Sequence, residues 1–178
     1  MKERELGLGS RLLIGGIAGF VGTMAMTGAM RRLHARLPAE ERYPLTPREI
    51  IDSAAEQQGI ELGNEAAKDA TMAGHFLYGA ACGAALGAIN PHMGRASGAL
   101  AGAGVWLLSY MGWIPAAAIL KPAPEHPPRR NLLMIGVHLV WGASTAAAMR
   151  ELIAVRRTMI EAGPDRDKPA EPLNRRAD

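Results

Sequence analysis

The sequence predicts an all-α integral membrane bundle of four transmembrane helices with a short amphipathic helix in the first loop. Three observations carry that prediction. The chain has 178 residues and 37 charged side chains, yet no Asp, Glu, Lys or Arg falls in the windows 12–30, 70–94, 96–120 and 131–149. Each window is as long as the roughly 17 to 25 residues a helix needs to cross about 30 Å of hydrocarbon. The windows are also rich in glycine and alanine at helical spacing, whereas the segments between them hold most of the prolines and both signs of charge. The near-zero mean hydropathy therefore averages two unlike populations.

The first span is expected at about 12–30, after a charged tail, 1–11. A cleavable signal is disfavoured there: the apolar stretch exceeds a signal core, and Arg31 and Arg32 follow it as a stop-transfer flank. The polar loop 31–69 contains a helix start at Thr46, with Pro47 at the first helical position and Glu49 completing a capping box. Ile50, Ile51, Ala54 and Ala55 share one face of this helix and Gly59 ends it, so it should lie on the membrane surface or on the top of the bundle.

The second span, about 70–90, follows a first turn capped by Asn64 and stops at Asn90-Pro91. Only a few residues separate it from the third span, about 97–120, so the two are expected as an antiparallel hairpin. Pro115 should kink the third span in its last third. A proline-rich connection, 121–130, leads to the fourth span, about 131–149, which continues as a charged helix to about 159. The four-helix domain thus covers 12–162, and the tail 163–178, with almost nothing apolar, is expected to be disordered.

Whole-chain properties exclude several classes. The net charge is only +3 and no basic run alternates with aromatics, so no nucleic-acid partner is expected; the partner is the lipid bilayer. A single cysteine, Cys82, excludes a disulfide framework. No Ser-His-Asp arrangement, zinc-protease spacing or phosphate loop occurs, so the chain is not expected to be an enzyme, and no cofactor is expected.

Hydrophobic burial does not drive helices together in lipid, so backbone contact through small residues must do so. Gly15 and Gly19 in the first span, Gly79, Gly83 and Gly87 in the second, and Gly98 and Gly102 in the third recur one turn apart. They predict close intramolecular packing, with a homo-oligomer seam as the alternative.

Intramembrane ionisable residues are costly and so are candidate functional groups. His75 lies about 8 Å below residue 70 and His138 about 10 Å below residue 131, at similar depth on the side of the long loop. Met24, Met26, Met30, Met72, Met111 and Met134 fall in the same half. The alternatives are structural packing, a proton relay, or a soft-metal site of imidazole and thioether. The sequence leaves open whether the two rings meet and whether any metal binds.

Four stretches resemble the YagU-like inner-membrane proteins of bacteria, a family of unknown function. They are Gly16-Ile17-Ala18-Gly19, Ala73-Gly74-His75 with Tyr78, the glycine-alanine run 98–103 leading to Gly112 and Pro115, and His138-Leu139-Val140-Trp141. The resemblance implies a multi-span inner-membrane protein with cytoplasmic tails, associated with acid tolerance and without an established cofactor. Basic residues by themselves do not orient the chain, because the two sides carry almost equal numbers in tails and short flanks.

Overall fold

The computed structural model describes residues 6–39, 42 and 46–160. The expected tail 163–178 lies outside them. Among the described residues the secondary structure is entirely helical. The long helices are α1 (Leu8–His34), α3 (Asn64–Ile89), α4 (Arg95–Ala116) and α5 (Pro128–Thr158), each long and apolar enough to cross a membrane. The short α2 (Thr46–Gln57) lies between α1 and α3.

The order of packing is α3, α1, α5, α4. Helix α1 contacts both α3 and α5, and α4 contacts α5. Consecutive helices α3 and α4 run antiparallel as expected for a hairpin, but they do not pack along their length. The reason is the placement of small residues. A Cβ built on Gly19 would lie 2.8 Å from the Cα of Gly83, and one on Gly87 would lie 2.8 Å from the Cα of Gly15. Glycine Cα atoms therefore form the α1–α3 contact. Gly98 and Gly102 of α4 face Gly142 of α5 in the same way: a Cβ on Gly142 would lie 2.9 Å from the backbone nitrogen of Gly102. Each helix of the hairpin thus has its glycine face turned to a different partner.

Helix ends differ from the sequence expectation in three places. Thr46 and Glu49 do not act as an isolated capping box: the Tyr110 hydroxyl donates to Thr46 Oγ1, and the Arg130 guanidinium reaches both Thr46 Oγ1 and the Glu49 carboxylate. Gly63, not Asn64, occupies the N-cap of α3, and Asn64 Oδ1 instead accepts from Arg48. Helix α4 ends at Ala116 rather than near 120, and its irregularity begins before Pro115. Residues Ser109–Trp113 form a π-turn in which Gly112 leaves helical geometry (φ −112°, ψ −109°). A proline ring collides with the carbonyl four residues before it, and opening the ladder ahead of Pro115 removes that collision.

The expected end of α2 is present. Gly59 has φ +67°, with Ile60 N–H donating to the Ala55 carbonyl and Gly59 N–H to that of Glu56. This is the paired closure that a left-handed residue after a helix permits. The same closure ends α4, but there the left-handed position is held by Ala118, φ 54°.

Two buried clusters stabilise the bundle. One, near α2, contains Met26, Met30, Tyr110, Ile114, Met134, Val137 and Trp141. The other, at the far end, contains Ile14, Met93, Met149 and Ile153, with Leu6 packed against it. The start of α1 and the end of α5 therefore share one end of the molecule. There Arg11 donates to the carbonyls of Gly87 (3.4 Å) and Ile89 (3.0 Å), which the last turn of α3 leaves without intrahelical partners.

Candidate functional site

Because α3 and α4 pack on different partners, a cavity of about 250 Å³ remains between them in the half nearer α2. Its floor is Thr23 and Met26 of α1 with Trp141 of α5. One wall carries Gly74, His75, Tyr78 and Cys82, and the other carries Val105, Ser109, Tyr110 and Trp113. The roof is Thr46, Pro47, Ile50 and Ile51 of α2.

The amphipathic face of α2 thus covers the bundle top. Ile51 lies against Gly74, Gln57 Nε2 donates to the carbonyls of Ala117 and Ala118, and Arg130 pairs with Glu49. The pair is largely shielded, with side chains 13% and 24% exposed. It therefore fixes α2 to α5, whereas the more exposed Arg48–Asp52 pair (2.7 Å) joins two residues of α2 itself.

Both intramembrane histidines line this cavity. His138, only 8% exposed, has Nδ1 2.7 Å from the Met134 carbonyl one turn earlier. A carbonyl can only accept, so Nδ1 carries the proton and Nε2 of the neutral ring is left as an acceptor. Gly102 of α4 rests against the His138 carbonyl, which holds this part of α5 in place. His75 comes from the facing helix, with its ring edge-on to Phe76. Its Nε2 is buried without a hydrogen-bond partner.

A network on the floor supports the site. Trp141 Nε1 donates to Thr23 Oγ1 (3.2 Å) and the Gly19 carbonyl (3.3 Å), and the Thr23 hydroxyl donates to that same carbonyl at 2.8 Å. Gly79 admits this cluster, because a Cβ there would meet Thr23. Toward the lipid, Tyr78 and Ser109 share a hydrogen bond of 2.8 Å across the slit between α3 and α4, and Trp113 Nε1 donates to the Tyr78 hydroxyl at 3.2 Å.

The structure brings His75 and His138 to one cavity, and it places Gly15, Gly19, Gly79, Gly83, Gly87, Gly98 and Gly102 in contacts between helices of the same chain. It does not gather the methionines. Met26, Met30 and Met134 are buried, whereas Met24, Met72 and Met111 turn outward. Among the described residues no three His, Cys, Asp or Glu side chains converge as a metal site. Sequence reasoning did not single out Gly142 as a packing residue or the Tyr78–Ser109–Trp113 cluster as a unit. Gly142 lies four residues after His138 in a small-residue run, which is a signal of the kind used for the other ridges. The cluster had no such signal, since it depends on the π-turn.

Fold and cavity together define a multi-pass membrane protein, all-helical among the described residues, with a partly open site between its long helices. No family model, curated protein or solved structure matches the chain.

Proposed function

We propose that the chain is a non-enzymatic bacterial inner-membrane protein, with its tails in the cytoplasm, that exchanges protons at the His75–His138 cavity and so contributes to tolerance of acid. The observation that carries this reading is the presence of two imidazoles from facing helices on one cavity, one of them with a buried, unpartnered ring nitrogen. Imidazole is the side chain whose ordinary ionisation falls between pH 5 and 8. Among the described residues, the other titratable groups on the cavity are Tyr78 and Cys82 from α3 and Tyr110 from α4. Helix α1 contributes none, and the Glu49–Arg130 pair closes the α2 end. Within the cavity, proton exchange near neutral pH therefore falls to the histidines.

The test is proton flux into proteoliposomes driven by an acid-outside gradient, with acid survival of the producing cells in parallel. Replacing both rings, His75→Gln with His138→Gln, lowers flux at least tenfold while helicity is retained. Flux equal to that of empty vesicles in the unaltered protein, or unchanged in the double variant, overturns the reading.

A further inference from the structure

We infer that the cavity is also a binding site for a small neutral amphiphile, a single ring bearing one hydroxyl such as a phenol, which enters from the bilayer between α3 and α4. Size sets the first limit. An apolar cavity of ~150 Å³ holds a benzene-sized molecule, so about 250 Å³ accommodates roughly ten non-hydrogen atoms.

Chemistry sets the second. Met26, Val105, Ile50 and the faces of Tyr110 and Trp141 suit an aromatic ring. Against them stands the Nε2 of His138, left as an acceptor because Nδ1 donates to Met134. A ligand hydroxyl satisfies that acceptor, and a charged ligand finds no counter-ion, because among the described residues no Asp, Glu, Lys or Arg lines the cavity.

The route is set by which walls can part. The roof is tied down by Arg130, Tyr110 and Gln57. The floor is closed by the Trp141–Thr23–Gly19 network, and glycine contacts close the far half. Between α3 and α4, which lack continuous packing, the crossing is made by Tyr78, Ser109 and Trp113, whose hydrogen bonds span the slit. Tyr78 and Trp113 are about two-fifths exposed on the lipid side. The α4 half of this latch lies in the π-turn, where Gly112 already departs from helical geometry. Rotation at that point opens the slit without disturbing the glycine contacts of Gly98 and Gly102.

The inference does not rest on proton exchange, and it is tested at fixed pH with no gradient, so either reading can fail alone. The full chain in nanodiscs is titrated with 4-bromophenol, whose bromine quenches indole fluorescence; Trp113 and Trp141 face the cavity. Saturable quenching is expected, with 4-bromoanisole, which lacks the donor, at least tenfold weaker. His138→Leu removes the preference for the phenol, and Val105→Phe, which fills the cavity, weakens the phenol at least tenfold. Tyr78→Phe keeps the ring but unlatches the slit, and it speeds the onset of quenching severalfold. Quenching that rises linearly with probe in the bilayer, equal for phenol and anisole, overturns the site even if a variant fails to fold. Onset rates unchanged by Tyr78→Phe overturn the lateral route.

Discussion

The half of the bundle away from α2 and the half beneath it use the same four long helices in opposite ways. In the far half, Gly15, Gly83 and Gly87 bring α1 and α3 to backbone contact, and Gly98 and Gly142 do the same for α4 and α5. In the near half the contacts pass to side chains: Trp141 on Thr23, Tyr78 on Ser109, Tyr110 on Thr46. A helix pair without Cβ atoms at its contact can close to backbone distance, while one that meets through tryptophan and tyrosine is held apart and can enclose space. Binding capacity is thus confined to one half, and the other half fixes its frame.

Breaking the closed half should have the largest effect. Gly83→Leu places a branched side chain where a Cβ alone would meet the backbone of Gly19, and overpacking of this kind costs about 3 kcal/mol, the upper end of its usual range, because backbone cannot give way. Loss of folded, monodisperse protein in a detergent-to-SDS titration is the expected result. Gly104→Ala, by contrast, meets nothing within 4 Å and should raise stability by up to about 1 kcal/mol through helix propensity. Equal behaviour of the two variants would remove the distinction between the halves.

The roof of the open half comes next. Arg130→Met leaves Glu49 without its partner at a largely shielded site, so α2 should exchange its amide hydrogens at least tenfold faster while α3 does not. Uniform exchange across both helices would mean that α2 is held by its apolar face alone. A smaller effect is expected at the end of α4. Ala118 is left-handed, a conformation that costs a non-glycine residue about 1 kcal/mol, so Ala118→Gly should stabilise by about that amount. The same titration would read it.

Much of this frame was legible in the sequence. The charge-free windows mark the four long helices because lipid tolerates no charge there, and the glycine spacing marks the faces that meet. Residue counts put His75 and His138 at similar height, and both line the same cavity. Which helices would pair was not legible. Proximity along the chain favoured α3 with α4, but the deciding residue is Gly142, whose partners Gly98 and Gly102 draw α4 onto α5. The cavity is a consequence of that choice and has no local signature. The early end of α4 was missed because its left-handed closing position is held by Ala118, where no glycine marks it. Asn64 looked like a cap, yet a side chain that can reach a neighbouring helix need not serve its own.

The π-turn at Ser109–Trp113 also sets the rotational phase of Ile114 and the residues beyond it. A single π-turn is equivalent to one residue inserted into a regular helix, and one residue corresponds to about 100° of rotation. Removing a residue from this stretch would bring back the collision of the Pro115 ring with the preceding turn, turn Ile114 away from the core and carry the end of α4 away from Gln57. The length of this one turn, together with Gly112 and Pro115, keeps both ends of α4 in register with their separate partners.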